Sequence, residues 1–184
     1  GWQMDANGTR RMPQQSVSKL WVAMTVLDAR DRGRLTLDDP VTLTRENLTV
    51  FHQPIAALVV KNGVYRTTVR ELLLRAMQQS DNTANDRLLN LVGGPEAVRA
   101  MIRDKGLGDI RFGPGERLLQ ARTAGLPWKP EYSMGRSFQQ ARAALAPTVR
   151  RAAFEAYVAD PIDGAAPSAI ALALARLKAG EILS

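Results

Sequence analysis

The sequence predicts a mostly helical α+β domain with a small remnant of antiparallel sheet. Most segments between turn signals fit helices, and only a hairpin and one short extended piece fit strands. Hydrophobic residues make up 45% of the 184 residues, which is enough for one domain with a sizeable core. No internal repeat of about 20 to 50 residues is present. We therefore expect residues 1–184 to form a single domain.

Short stretches near the amino terminus supply the predicted strands. Asn7-Gly8 is a hairpin turn signal, and residues 1–4 and 9–12 would be the two strands that it joins. Residues 41–43 fit a further short extended piece. The stretch 44–65 is predicted to be mixed, with Pro54 and Gly63 as punctuation.

One helix stands out because it is apolar around nearly its full circumference. It is predicted over Gln15–Arg32, with Gly33 as its stop, and such a helix is a buried one. Residues 110–132, rich in Gly and Pro, are predicted as a loop. Further helices are predicted over residues 68–79, 83–92, 95–105, 134–145, 147–158 and 167–180.

Composition excludes several classes of function. The chain has no cysteine, which removes disulfides, thiolate nucleophiles and Cys-based zinc sites. Its one histidine, His52, cannot form a histidine-rich metal centre, so neither a metal nor a cofactor is expected. No apolar run of about 18 residues predicts a membrane span. The net charge of +7 comes from scattered arginines without an aromatic ladder, which favours a solvated surface over nucleic-acid binding.

Ser16-Val17-Ser18-Lys19 places a serine and a lysine one turn apart at the start of the buried helix. A serine hydroxyl becomes a good nucleophile only when a neighbouring base takes its proton. Lys19 can be that base if its surroundings favour the neutral amine. The alternative is an ordinary helix start with a surface lysine. The apolar helix that follows favours the catalytic interpretation.

Ser80-Asp81-Asn82 lies between two predicted helices. The structural interpretation is an N-cap, because Ser, Asp and Asn are the preferred capping residues. The functional interpretation is a polar segment that brings the hydroxyl of Ser80 and the amide of Asn82 to Ser16. The sequence alone leaves both open.

The two motifs together resemble the class A serine β-lactamase and penicillin-binding protein family, for which a Ser-x-x-Lys motif, Ser-Asp-Asn and Lys-Thr-Gly are typical. Gly93-Gly94-Pro95 and the final residues 177–183 resemble the family in the same order. The resemblance implies the mostly helical portion of the β-lactamase/transpeptidase-like fold.

The resemblance also implies roles for the residues of both motifs. Ser16 would be the acylated nucleophile, and its backbone N–H one oxyanion donor. Lys19 would accept or relay the proton of Ser16. Ser80 would protonate the departing nitrogen, and Asn82 would bind an amide of the substrate. The implied reaction is hydrolysis of a β-lactam amide through an acyl-serine intermediate, and hence antibiotic resistance.

Glu116 is the candidate base for deacylation. Glu116-Arg117-Leu118-Leu119-Gln120 resembles the family's Glu-x-x-Leu-Asn loop, with Gln120 where Asn is expected and still able to hold a water. Asp163 would end that loop, but far more residues separate it from Glu116 than in the family. We therefore expect an insertion over 117–160, and Glu116 as a plain surface loop residue is the alternative. Glu131 and Glu155 are weaker candidates.

The third family motif, Lys-Thr-Gly on a strand, is absent. Lys178-Ala179-Gly180 mimics it but is expected to close the last helix. The chain is accordingly expected to be a fragment, truncated at both ends and catalytically incomplete. His52 takes a place where the family often has an aromatic residue at the cleft edge, so it either lines the substrate entrance or is an ordinary loop histidine.

Other functions remain open at the level of sequence. Without a working deacylation base, the same residues would form a penicillin-binding DD-peptidase that acts on peptidoglycan peptides. A non-catalytic sensor of β-lactams or peptides is a further alternative. The expected partner is a β-lactam or a D-Ala-D-Ala-type peptide, the expected state is a monomer, and the expected location is the bacterial periplasm or the medium.

Overall fold

A computed structural model describes residue 4 and residues 6–184 of the chain. Within this part, helices dominate and two short strands pair into an antiparallel sheet. The predicted fold class, a mostly helical α+β domain with a remnant of antiparallel sheet, is confirmed.

The described helices and strands follow one another in this order. The α-helices are α1 (Lys19–Asp31), α2 (Ile55–Asn62), α3 (Val69–Gln78), α4 (Asn82–Leu91), α5 (Pro95–Asp104), α6 (Glu116–Thr123), α7 (Ser137–Ala144), α8 (Pro147–Ala159) and α9 (Pro167–Lys178). The strands are β1 (Pro40–Leu43) and β2 (Tyr65–Thr68). Short 3-10 turns cover Gln15–Ser18, Arg45–Asn47 and Pro130–Ser133.

Helix α1 lies at the centre of the main core. Trp21, Val22 and Val26 are completely buried, and α3, α4 and α5 all pack against the helix. An apolar circumference requires neighbours on every side, which explains why this helix is buried. The predicted buried helix is confirmed, with the difference that its first turn is a 3-10 turn in which Val17 is exposed.

The sheet pairs β1 with β2, and Val41 lies opposite Thr67. The predicted extended piece at 41–43 is confirmed as β1. Pro54 and Gly63, predicted as punctuation, flank α2. The stretch 44–65, predicted to be mixed, contains α2 and the start of β2. Both elements are short, and elements of two turns or four residues give too few repeats for a period to emerge.

The predicted hairpin is not formed by the described residues. Most of its first strand, residues 1–3, lies outside the described part, as does residue 5. Residues 9–12 form no strand, and Met12 instead makes an isolated antiparallel bridge to Ala165. The turn itself exists, since the Arg10 N–H donates to the Asn7 carbonyl at 2.9 Å. The Asn7-Gly8 signal therefore predicts the turn correctly, but not that the segment after it pairs with Ala165.

The predicted loop over 110–132 was wrong, because α6 and a 3-10 turn lie within it. Gly115 precedes α6 with a φ of 98°. A Cβ there would come within 2.9 Å of the Leu89 side chain, so glycine is needed for close approach as well as for the backbone. The Gly-Pro-rich sequence marks the beginning of this helix and not an extended loop.

The other predicted helices agree with the structure to within a few residues. The two predicted alanine- and arginine-rich helices are α7 and α8, and the last predicted helix is α9. Gly180, with a φ of 73°, follows the end of α9 as expected for a helix stop. Lys178-Ala179-Gly180 therefore closes a helix and is not on a strand.

Residues 117–160 contribute to a second, smaller core. It comprises Val50, Ala121, Ala124, Tyr132 and Phe138. The Phe138 ring packs edge to face against Phe51 at 5.1 Å and Tyr132 at 5.6 Å. That these residues are an insertion stays a prediction. No helix among the described residues has the length and apolarity to cross a bilayer.

Candidate active site

The serine and the lysine of the first motif are in contact. Ser16 lies in the 3-10 turn and is exposed, whereas Lys19 begins α1 and is only 2% exposed. The Lys19 Nζ donates a hydrogen bond to the Ser16 Oγ at 3.0 Å. The alternative of a surface lysine is therefore wrong. The Ser16 hydroxyl is therefore accessible to solvent, while the Lys19 amine that contacts it is shielded from water.

The buried amine also contacts a carboxylate. Lys19 Nζ donates to Glu116 Oε1 at 2.6 Å, and the two side chains are 2% and 4% exposed. A buried charge needs a partner of this kind, because removal from water is costly. Glu116 is thus not a surface loop residue. Its carboxylate, the amine and the Ser16 hydroxyl form a continuous chain of hydrogen-bonding groups.

Asp86 of α4 holds the beginning of α6 in place. Its Oδ1 accepts the Glu116 N–H at 2.7 Å, and its Oδ2 accepts the Arg117 N–H at 3.1 Å. Burial raises the pKa of this carboxyl to about 6, with the Glu116 charge adding to the increase and the two N–H groups opposing it. Sequence reasoning missed Asp86. Its spacing of four from Asn82 on one helix was the signal available.

Ser80 reaches Ser16 from the second motif. Its Oγ donates to the Ser16 Oγ at 3.0 Å, and its φ of 54° is unusual for a residue other than glycine. Such strain is often found at functional sites. The predicted convergence of Ser16, Lys19 and Ser80 is therefore present in the geometry.

Asp81 confirms the structural interpretation of the second motif, a helix N-cap. It is the N-cap of α4 and accepts N–H groups from Thr83 at 2.9 Å and Ala84 at 3.0 Å. Its other oxygen accepts the Ile55 N–H at 2.8 Å. The cap holds the start of α4 in place, and with it the neighbouring Ser80 and Asn82. The same three residues therefore serve both the helix cap and the candidate site.

Asn82 is 5% exposed and lies against the segment 50–52. Its Nδ2 donates to the Val50 carbonyl at 3.0 Å, and its backbone N–H donates to the His52 carbonyl at 2.9 Å. His52 is therefore brought beside the site by its backbone, while the residue is exposed. The substrate-binding roles of Asn82 and His52 stay predictions.

Gln120 lies one turn after Glu116 on α6. Its Nε2 is 3.4 Å from Glu116 Oε2 and 3.1 Å from Gln15 Oε1. The structure thus places Gln120 between the candidate base and the residue before Ser16. Its role in holding a water stays a prediction.

Gln15, Tyr157 and Asp163 form a network that sequence reasoning missed. Gln15 has a φ of 50°, and its backbone N–H donates to Asp163 Oδ2 at 2.9 Å. Its Nε2 donates to the Tyr157 hydroxyl at 2.6 Å, and that hydroxyl donates to Asp163 Oδ2 at 3.2 Å. Burial, followed by the Asp163 charge, raises the pKa of Tyr157 above its ordinary value. Nothing in the sequence near Ser16 points to partners so far along the chain.

Gln53 forms hydrogen bonds both to the segment 117–160 and to the start of α4. Its Nε2 donates to the Ser133 carbonyl at 2.8 Å, and its Oε1 accepts the Thr83 hydroxyl at 2.7 Å. Thr83 follows Asn82 directly. A cavity of about 470 Å³ lies alongside, bounded by Phe51, α2 and α7. Sequence reasoning missed Gln53, which gave no signal beyond its place next to His52.

Taken together, the helical fold and the contacts among Ser16, Lys19 and Ser80 define a protein of the class A serine β-lactamase type. The chain belongs to the beta-lactamase enzyme family, whose model matches residues 1–184. The resemblance seen in the sequence is therefore confirmed.

Several relatives show the extent of the similarity. The extended-spectrum beta-lactamase PER-1 of Pseudomonas aeruginosa is 31% identical over 115 residues, covering 62% of this chain and 37% of PER-1. Beta-lactamase Toho-2 of Escherichia coli is 38% identical over 105 residues, covering 57% of this chain and 34% of Toho-2. The alignments thus cover little more than a third of these curated relatives.

Solved structures match the whole chain. A beta-lactamase from Chitinophaga pinensis DSM 2588 superimposes with a TM-score of 0.70 at 26% identity, over 100% of this chain and 55% of the other. A class A beta-lactamase of the last common ancestor of Gram-negative bacteria superimposes with a TM-score of 0.67 at 31% identity, over 100% of this chain and 56% of the other. The chain therefore spans about half of each of these folds.

Proposed function

We propose that this chain supplies the acylation and deacylation groups of a serine hydrolase that cleaves the β-lactam amide bond. One observation carries the proposal: the buried Lys19 Nζ contacts both the exposed Ser16 Oγ, at 3.0 Å, and Glu116 Oε1, at 2.6 Å. A nucleophile within reach of a base, with that base oriented by a third group, is the arrangement that activates a serine.

In acylation, the Lys19 ammonium passes a proton to Glu116, and the resulting amine takes the proton of the Ser16 hydroxyl. Ser16 Oγ then forms a bond to the lactam carbonyl carbon. As the carbon–nitrogen bond breaks, Ser80 gives its proton to the nitrogen and regains one from Lys19. Glu116 returns a proton to Lys19, so the net transfer is one proton from Ser16 to the leaving nitrogen.

In deacylation, the Glu116 carboxylate takes a proton from a water that Gln120 helps to hold. The hydroxide attacks the ester carbonyl carbon and the bond to Ser16 Oγ breaks. Lys19 gives a proton to Ser16 Oγ and regains one from Glu116, which restores the carboxylate. The shared contact of Gln120 with Glu116 and Gln15 supports this role, since it lies between the base and the nucleophile's neighbour.

Substrate positioning falls to Asn82 and to the backbone N–H of Ser16. Asn82 is buried at a helix start, where its side chain is held against Val50, so an incoming amide meets a fixed partner. His52 would flank the entrance. The location that fits such an enzyme is the periplasm or the medium, where resistance to β-lactams would follow from its action.

A second function is favoured by one contact. Gln120 Nε2 lies closer to Gln15 Oε1, at 3.1 Å, than to Glu116 Oε2, at 3.4 Å, so its amide is engaged with Gln15 and is less available to a water beside Glu116. A slow second step would leave the acyl-enzyme standing, which is the behaviour of a penicillin-binding DD-peptidase or of a β-lactam sensor.

Nitrocefin hydrolysis by the full-length protein distinguishes these functions. The hydrolase predicts many turnovers per enzyme, whereas a peptidase or sensor predicts a single stoichiometric burst. Ser16→Ala should abolish both turnover and the covalent adduct seen by mass spectrometry. Ser18→Ala is the matched control, because the Ser18 hydroxyl is committed to the Gln15 carbonyl at 2.7 Å and should not be acylated. Turnover by Ser16→Ala would refute the proposal.

A further inference from the structure

A small cavity of about 10 Å³ lies beneath the candidate site. It is bounded by the start of α1, by α4 and α6, and by the segment that returns to α9. Its polar lining comes from Ser18, Asn85, Glu116 and Asp163, all of which are buried. The volume matches the smallest space that holds one water molecule.

Two buried oxygens that belong to this lining have no hydrogen-bond partner. They are Asp163 Oδ1 and Asn85 Oδ1, on residues that are 1% and 2% exposed. The other oxygen of Asp163 is already occupied by the Gln15 N–H and the Tyr157 hydroxyl. Buried polar atoms in folded proteins are nearly always hydrogen-bonded, so two orphans at one cavity call for an occupant.

We propose that the cavity binds a single buried water molecule that donates one hydrogen bond to Asp163 Oδ1 and one to Asn85 Oδ1. Both orphans are acceptors, so the occupant must carry two donors. Water carries two donors and fits the volume. A metal ion would need a larger set of oxygens, and no cluster of three or more metal-ligating side chains occurs among the described residues.

This water completes the hydrogen bonding of the carboxylate that anchors the residue before Ser16. Asp163 holds the strained backbone of Gln15 through Oδ2, and the water ties its Oδ1 to α4. The bound water thereby joins the segment between α8 and α9 to α4, the helix that carries Asp86 and Asn82. The inference does not rest on the proposed function, because it concerns hydrogen bonding in the folded protein.

A high-resolution crystal structure of the wild-type protein tests the proposal directly. We expect one density peak within about 2.5 to 3.0 Å of both orphan oxygens. An empty cavity would overturn it. So would a flipped Asn85 amide that donates directly to Asp163, or a peak surrounded by five or more oxygens at metal distances.

Asn85→Leu gives a second test, since it removes one orphan acceptor with little change in volume. We expect the water to be lost and the thermal midpoint to fall, because Asp163 Oδ1 is left without a donor. Asn90→Leu is the matched control on the exposed face of α4 and should leave both unchanged. Retention of the density peak in Asn85→Leu would contradict the proposed hydrogen bonding. If this variant fails to fold, the wild-type structure still decides.

Discussion

The two halves of the candidate site are built in different ways. The first half lies at the starts of helices that pack in the main core, and its arrangement follows from short motifs and local capping. It comprises Ser16, Lys19, Ser80 and Asn82. The side that carries Glu116 belongs to a segment with its own small core, joined to the first half by side-chain hydrogen bonds. The first half thus adjoins the main core through α1 and α4, whereas Glu116 is joined to it by the ion pair with Lys19 and the backbone hydrogen bond to Asp86.

Removing a side chain from the second core should reveal most clearly whether the two regions unfold independently. Phe138→Ala removes a ring that is 2% exposed, and we expect a loss of about 3 to 5 kcal/mol of packing free energy. Hydrogen exchange should speed up in α6 and α7 while α1 stays protected. Phe154→Ala, at a ring that is 55% exposed on α8, is the control and should change little. Equal loss of protection in α1 would show that the two cores unfold as one.

Breaking the Lys19–Glu116 ion pair that joins the two regions should lower the free energy of unfolding by nearly as much as Phe138→Ala. Lys19→Met leaves the Glu116 carboxylate buried without its partner, which typically costs about 3 to 5 kcal/mol. Urea denaturation measures this loss, and β-lactam acylation should stop. Lys178→Met, at an exposed position of α9, provides the control. Wild-type stability in Lys19→Met would mean that the buried pair is not formed in solution.

The carboxyl of Asp86 predicts a pH dependence. Its pKa rises from 3.8 to about 6 on folding, so its contribution to stability is complete below about pH 4 and is lost as the pH rises through 6. This difference corresponds to ~3 kcal/mol. We expect the free energy of unfolding of the wild type, relative to Asp86→Asn, to fall by this amount between pH 4 and 7. A flat difference would place the carboxyl in a more solvated site.

The smallest effect is expected at the contact that links α8 to Gln15. Tyr157→Phe removes one buried hydroxyl, and we expect a loss of about 1 kcal/mol. Because Gln15 also contacts Gln120, deacylation should slow more than acylation. Tyr65→Phe on β2 is the control for a hydroxyl remote from the site. Equal slowing of both steps would point to a general loss of structure instead.

The first half of the site was predictable from sequence because its signals are local. A Ser-x-x-Lys spacing at the start of an apolar helix determines which face both side chains share. Capping residues mark the start of α4, and Asp81 fulfils that role as expected. The buried helix, the positions of α7 to α9 and the mostly helical class follow from the same kind of signal.

The second half was not predictable because its determinants lie far apart in the chain. Asp86 caps a helix that begins 30 residues later, and Gln15 bonds to a tyrosine 142 residues away. A side chain at position 115 would collide with Leu89 and Asp86, so glycine is required there. In the sequence, the same glycine suggests only a loop. Such contacts are set by tertiary packing, which no local pattern encodes.

The most direct test is to follow the fate of an acyl group on Ser16 in Glu116→Gln. The variant keeps the size of the side chain and removes the carboxylate base that contacts Lys19. With the full-length protein and a penicillin, peptide mass spectrometry should find an adduct on Ser16 that forms more slowly in Glu116→Gln, because Lys19 has lost its proton acceptor, and that then persists. In the wild type the adduct should form and clear. An adduct on another residue, or clearance at the same rate in both proteins, would contradict the account.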